Sequence, residues 1–236
     1  MPRIVEVIGT DGVRYKQLVK GKDDMRQDAV MQQVFGMCNE LLAASAATRQ
    51  RRLHVRTYRV LPLTPAAGVL EWCQHTMPLG EWLVGSAHKP HTGAHSRYRP
   101  RDWPSHECRQ RLSDATSDER RRAVYANVCA RFKPVMHMFF FERFFEAGAW
   151  FARRLAYARS VAAASMVGYV VGLGDRHAQN ILLDVRSADV VHIDLGVAFE
   201  QGKQLRMPEL VPFRLTRDVV DGFGCTGTEG VFRRCC

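Results

Sequence analysis

Short apolar blocks with strand-like spacing open the chain and give way to long stretches of helical period. Ile4 to Ile8 is apolar-rich, Thr10-Asp-Gly12 carries a turn signal, and Tyr15 to Lys20 reads as the returning strand. A helix is predicted from about Arg26 to Ala44. There Val30, Val34, Met37 and Leu41, with Met31, Phe35, Cys38 and Leu42 beside them, repeat at the spacing of a buried face. Asp23 and Asp24 stand where an N-cap and first-turn acids belong. Leu53 to Leu61 and Val69 to Cys73 read as further strands. From about Pro78 the pattern is mostly helical, with helices over Glu119 to Phe132, Val135 to Phe145 and Trp150 to Val171. Gly85 to Pro104, rich in Gly, His and Pro, predicts a loop insertion with little order. A small sheet with one helix, joined to a helical part, leaves a cleft between them.

The long helix is interrupted by Gly172 and Gly174, and there the chemistry concentrates. Gly174-Asp-Arg-His-Ala-Gln-Asn180 is followed by His192-Ile-Asp-Leu-Gly196. Asn180 to Asp184 and Val190 to Asp194 are short apolar runs separated by the polar link Val185 to Asp189, a hairpin signal. In the simplest antiparallel register 184 faces 190, so Asn180 faces Asp194. Opposed residues have Cβ atoms about 4.5–5.5 Å apart, so the two could share a magnesium ion. Magnesium takes one or two carboxylates plus phosphate oxygens and water in preference to a closed protein cage. Asp175 stands five residues before Asn180, the Asp-to-Asn spacing of H-R-D-x-x-x-x-N, although His177 follows the aspartate where that motif's histidine precedes it. The order predicts phosphoryl transfer: one carboxylate for a substrate hydroxyl, an amide and a second carboxylate for metal on nucleotide phosphates. A surface hairpin with polar ends is the plainer alternative, and Asp175 with its flanking glycines weighs against it.

The opposite wall is predicted from the first strands. Lys20 ends the apolar run Leu18-Val19-Lys20, the placement of a strand lysine that reaches ATP phosphates. Lys22 is its rival. The run Gly21 to Asp28 brings acids close enough to orient the lysine, and Asp24 and Asp28, four residues apart, fall on one helical face. Val69-Leu-Glu-Trp-Cys73 is the candidate hinge: backbone groups at Glu71 and Cys73 would bond an adenine edge, with Leu70 and Trp72 as apolar wall. For Trp72 taken alone, core packing is the ordinary expectation.

Composition narrows the class. The 236 residues suffice for one domain or two packed lobes, and 46% hydrophobic with 25% charged content is ordinary for a globular chain. Val161 to Gly174 is too short and glycine-rich to span a bilayer, and no secretory pattern opens the sequence. Seven cysteines without a C-x-x-C pair argue against a disulfide framework or a zinc site and for a reducing compartment, cytosol or nucleus. The net charge of +10 comes from arginine clusters such as Arg49-Gln-Arg-Arg52 and Arg120-Arg-Arg122. They lack interleaved aromatics, so direct nucleic-acid binding is disfavoured and docking onto other parts of a larger polypeptide is preferred.

Several long segments carry a specific resemblance. Gln17 to Phe35, Gly68 to Cys73, Arg153 to Ser160, Val167 to Leu183, His192 to Lys203 and Val211 to Gly222 resemble the catalytic domain of the phosphatidylinositol 3-kinase-related protein kinases. The resemblance implies an α+β, bilobal protein-kinase-like fold: a small antiparallel sheet plus helix in the N-lobe and a mostly helical C-lobe. Residues 1–73 would be a partial N-lobe with hinge and 74–236 a partial C-lobe, truncated at both ends. By the same resemblance Lys20 binds ATP phosphate, Asp175 takes or orients the hydroxyl proton, and His177 neutralises charge on the phosphoryl group. Asn180 and Asp194 would hold Mg2+ (Mn2+ as alternative), Asp28 and Tyr58 would line the inner nucleotide pocket, and Leu195 to about Leu215 would be the activation segment. The implied partners are ATP, protein substrates with serine or threonine (before glutamine), the remainder of a helical-repeat polypeptide, and DNA-damage sensor complexes; the implied location is the nucleus. The 236-residue chain alone is expected to fold poorly and phosphorylate little. Two alternatives stay open: a phosphoinositide kinase, disfavoured because Lys203, Arg206 and Arg214 are dispersed among Glu200 and Glu209, and a truncated non-catalytic interaction module.

Overall fold

The computed structural model describes residues 2–86, 88–206, 208–211 and 213–236. Parts of the expected loop (Ala87) and of the expected activation segment (Met207, Pro212), together with Met1, lie outside the described residues. The strands are β1 (Arg3–Ile8), β2 (Arg14–Gly21), β3 (Val60–Thr64), β4 (Ala67–Glu71), β5 (Thr76–Pro78), β6 (Ile181–Asp184) and β7 (Val190–His192). The helices before the loop that holds Asp175 are α1 (Arg26–Ala44), α2 (Ala46–Gln50), α3 (Leu79–Val84), α4 (Ala94–Tyr98), α5 (Ser105–Ser113), α6 (Asp118–Arg131), α7 (His137–Arg143) and α8 (Ala147–Val170). After it come α9 (Arg217–Asp221) and α10 (Val231–Cys235). The fold is α+β. A four-stranded antiparallel sheet in the order β1-β2-β4-β3 carries α1, and a small sheet, β5-β6-β7, sits among the later helices. No helix among the described residues is long and apolar enough to cross a membrane.

Three apolar clusters position the cleft. The largest packs α3, α7 and α8 around β6, with Phe139, Phe140, Tyr157 and Leu183 fully enclosed. In the second, Met31 and Phe35 of α1 meet Leu173, Leu195 and Ala198, so the helix of the first part touches both segments that carry the candidate chemistry. The third joins the two sheets: Met25, Tyr58 and Leu70 pack on Leu182 and Val191. Burial of large side chains at each junction is worth about 1.5–3 kcal/mol apiece, which holds the walls of the cleft to a common floor.

Several expectations change. Helix α1 has the expected bounds, but its buried row is Asp28, Met31, Gln32 and Phe35. Val30, Met37 and Leu41 are exposed. Two adjacent apolar rows existed, and polar partners selected between them: Asp28 accepts the Leu195 N–H at 2.9 Å and Gln32 the Tyr58 N–H at 3.0 Å. The helix has no side-chain N-cap, and Asp24 precedes it, paired with Arg26 in solvent. Residues 53–59 are irregular, with Leu53, Val55 and Tyr58 buried. The region expected as a loop holds a short 3-10 turn, Pro90–Thr92, and α4; α5 was not anticipated.

Candidate active site

The β6–β7 hairpin pairs Leu183 with Val190, Leu182 with Val191 and Ile181 with His192. The expected register, 184 opposite 190, is therefore off by one residue, and Ile193, not Asp194, stands across from Asn180, donating its N–H to the Asn180 carbonyl at 3.0 Å. The slip follows from the turn: Asp184 N–H closes on the Asp189 carbonyl at 2.9 Å, while the Asp184 carboxylate caps Arg186 and Ser187 N–H at 2.7 and 2.9 Å. A one-residue slip would turn Asp194 to the wrong face of a continuing strand. The strand ends at His192 and Asp194 enters the left-handed region at φ +58°, which changes the direction of its side chain.

Asp175 also adopts positive φ, +57°. Its loop is formed because α8 ends at Val170 and Gly172 turns at φ +59°, where a Cβ would stand 2.5 Å from the Glu200 nitrogen. Asn180 Nδ2 donates to the Asp175 carbonyl at 3.0 Å and to its carboxylate at 3.3 Å. Gln179 N–H donates to His177 Nδ1 at 3.3 Å, and His177 Nε2 stands 3.9 Å from Asp175 Oδ1.

Arg176, between these two residues, is buried and was not anticipated. Its guanidinium donates to the carbonyls of Gly174 (2.7 Å), Asn180 (3.4 Å), Ile193 (2.7 Å) and Asp194. One side chain thus ties the Asp175 loop to the segment carrying Asp194. Burial pulls its pKa down, against the neighbouring Asp175 and Asp194 carboxylates that raise it. No spacing rule marks this arginine, because its partners are backbone carbonyls.

Facing these residues is a cleft of about 260 Å³. Lys20, Tyr58, Leu70, Glu71, Trp72 and Cys73 line it from one side, with Leu182, Ile193 and Asp194 opposite. Lys20 Nζ lies 3.5 Å from Asp23 and 3.9 Å from Asp194, with its side chain only 17% exposed. Lys22 is exposed in the turn that follows. The orienting acid is Asp23, not Asp24, since Asp24 is committed to Arg26. Asp28 lies behind the cleft, where burial raises its pKa against the Leu195 N–H and Lys20. Tyr58 is also pushed up by burial, and its hydroxyl has no partner among the described residues. Cys73 is pushed up to about 11 for the same reason. At the expected hinge, Glu71 N–H is already bound to the Arg59 carbonyl at 2.8 Å, so it has no amide to offer a ligand. Cys73 N–H makes no hydrogen bond among the described residues. Trp72 is 36% exposed and lines the cleft instead of packing into the core.

A divalent cation suits the donors present. The Asp194 carboxylate is accessible, and Asn180 keeps Oδ1 available because its Nδ2 makes the bonds to Asp175. Hard oxygens in this number leave room for phosphate and water ligands. Among the described residues no group of three or more His, Cys, Asp or Glu could close around a metal without them.

The model of the phosphatidylinositol 3- and 4-kinase family matches residues 14–236. The chain belongs to this family. It is 58% identical over 236 residues to Serine/threonine-protein kinase ATM of Arabidopsis thaliana, and 56% identical over 238 residues to Serine-protein kinase ATM of Sus scrofa. Each alignment covers 100% of this chain, and the chain spans 6% and 8% of those proteins. The solved structure "FAT and kinase domain of CtTel1" superposes with a TM-score of 0.91 at 55% identity, covering 100% of this chain and 16% of that one. The two-part architecture is accordingly the bilobal kinase fold.

Within that family fold the two parts are also pinned by charge. Arg56, from the irregular 53–59 segment, pairs with the buried Asp184 of β6 and donates to the Gln74 carbonyl at 3.3 Å. The sequence carried no signal for this pair, whose members lie 128 residues apart.

Proposed function

We propose that the chain is the catalytic unit of an ATP- and magnesium-dependent protein serine/threonine kinase of the ATM type, acting in DNA-damage signalling in the nucleus. The observation that carries this reading is the convergence of Asp175, Asn180 and Asp194 through the Arg176 clamp, with Lys20 opposite Asp194 across the cleft. Residues 1–73 act as the N-lobe with hinge and 74–236 as the C-lobe. Adenine lies against Leu70 and Trp72 with Cys73 N–H as donor, Tyr58 and Asp28 form the inner end, and Lys20 meets phosphate oxygens. Asp175 orients the acceptor hydroxyl and takes its proton, and His177 neutralises charge on the transferring group. Asn180 and Asp194 hold the metal, which when bound neutralises phosphate charge. Positioning and charge stabilisation, without covalent catalysis, supply the rate.

Phosphorylation of a lipid head group would call for a free basic cluster in the segment after Asp194. Lys203 is instead paired with Glu200 at 2.9 Å, and Arg214 is half-buried with its pKa pulled down by that burial. Side-by-side assays on a serine/threonine-glutamine peptide and on phosphoinositide vesicles, with and without magnesium, test the proposal. Transfer to the peptide alone is expected. Transfer to lipid alone, or nucleotide binding indifferent to metal, would overturn it.

A further inference from the structure

The catalytic aspartate is gripped from a direction that the reading above does not use. Asp175 N–H donates to both carboxylate oxygens of Glu209, at 3.0 and 2.9 Å. The preceding amide, Gly174 N–H, donates to the Val197 carbonyl at 2.9 Å. Two consecutive amides of the catalytic loop are therefore held by the chain that follows Asp194. Glu209 is itself fixed there, its own N–H donating to the Gly202 carbonyl at 3.1 Å. The approach is close on both sides: a Cβ at Gly174 or Gly202 would stand 2.8 or 2.5 Å from Glu209 Oε2.

These contacts matter because of the backbone they hold. A non-glycine residue at φ +57° is disfavoured by contact of its Cβ with its own carbonyl, though less so for aspartate than for most side chains, and contacts that hold its backbone offset that cost. For Asp175 two groups do so. Asn180 holds the carbonyl from within the loop, and Glu209 holds the amide from 34 residues away, through a charge-assisted bond. We infer that Glu209 is a positioning residue that holds the Asp175 loop in its productive shape through the Asp175 amide. The inference rests on the phosphotransfer reading for its kinetic consequence, but not for its structural one. Release of Glu209 lets Asp175 leave the left-handed conformation and turns its carboxylate away from the acceptor hydroxyl. The nucleotide wall of Lys20, Leu70 and Trp72 is untouched.

The test compares Glu209→Ala and Glu209→Gln with the native full-length protein in kcat, nucleotide affinity and hydrogen exchange of the Asp175 amide. Glu209→Ala is expected to lower kcat about tenfold to a hundredfold, the usual cost of small misplacement. Nucleotide affinity should stay within about twofold, and exchange at Asp175 should accelerate. Glu209→Gln, which keeps one acceptor oxygen, should restore most of the turnover and the protection. Native exchange at Asp175 in Glu209→Ala overturns the inference whatever the activity. So does a Gln variant as impaired as Ala, or a loss of nucleotide affinity that matches the loss of kcat. Should the native protein transfer no phosphate, the kinase reading fails, while the exchange comparison still decides the role of Glu209.

Discussion

Asn180 donates its side-chain amide to both the carbonyl and the carboxylate of Asp175, at 3.0 and 3.3 Å, and so braces the residue proposed to face the acceptor hydroxyl. The same geometry turns the Asn180 oxygen away from Asp175 and leaves it for a cation. Asp175→Ala is therefore expected to lower phosphotransfer by about 10²–10⁴, the usual contribution of a positioned acid–base group, with nucleotide affinity nearly unchanged. Asp194→Ala should instead abolish the magnesium dependence of nucleotide binding. Peptide phosphorylation and nucleotide titration with and without magnesium separate the two. Native turnover in either variant would remove the assignment.

Lys20 and Lys22 differ in environment, though not in residue type. Lys20 is mostly enclosed between Asp23 and Asp194, whereas Lys22 is in solvent at φ +63°. Lys20→Met should weaken ATP binding about tenfold or more, the value of one charge-assisted contact to phosphate. Lys22→Met should change it less than about twofold. Equal effects in a nucleotide titration would count against the placement of the phosphates.

Arg176 serves backbone carbonyls in four residues, Gly174, Asn180, Ile193 and Asp194. Removing it takes this donor from the Gly174, Ile193 and Asp194 carbonyls, while the Asn180 carbonyl keeps the Ile193 N–H, at about 1–3 kcal/mol for each group fully deprived. Arg176→Met, close in length and uncharged, should cost about 3 kcal/mol of stability and abolish activity. Thermal or denaturant unfolding reads the first effect. A variant as stable as the native protein would show that the carbonyls find other partners.

His192 has an enclosed ring although part of the residue reaches the surface; its Nδ1 is buried with no partner among the described residues. Burial, with the nearby Arg176 charge, lowers its pKa from 6.5 to about 3. Between those values the unfolded chain binds a proton that the folded chain refuses, so stability falls as pH drops below about 6.5. His192→Asn should flatten the pH dependence of unfolding between about pH 4.5 and 6.5 by close to one proton. An unchanged slope would mean that the imidazole is protonated in the folded state.

Much of this site was legible because its residues are close in sequence or fall at regular spacings. The bounds of α1, the Val185–Asp189 link, and the sequence runs around Asp175, Asn180 and Asp194 could all be read from local pattern. The helix's buried row could not. Val30, Val34, Met37 and Leu41 form as good an apolar stripe as Met31 and Phe35, and only Leu195 and Tyr58, far along the chain, select between them. The hairpin register failed for a related reason: the alternation of residues allows two pairings, and the side-chain cap of Asp184 on its own turn decides.

The sequence by itself determined the bounds of α1, the β6–β7 hairpin and the candidate run from Asp175 to Asp194, since propensity, periodicity and motif spacing act over a few residues. Tertiary structure decided which face of α1 is buried and which acid accompanies Lys20. It also decided how Arg176 and Glu209 fix a loop they do not resemble. These interactions join backbone groups of distant segments, and a backbone amide or carbonyl leaves no trace in the identity of the residue that carries it.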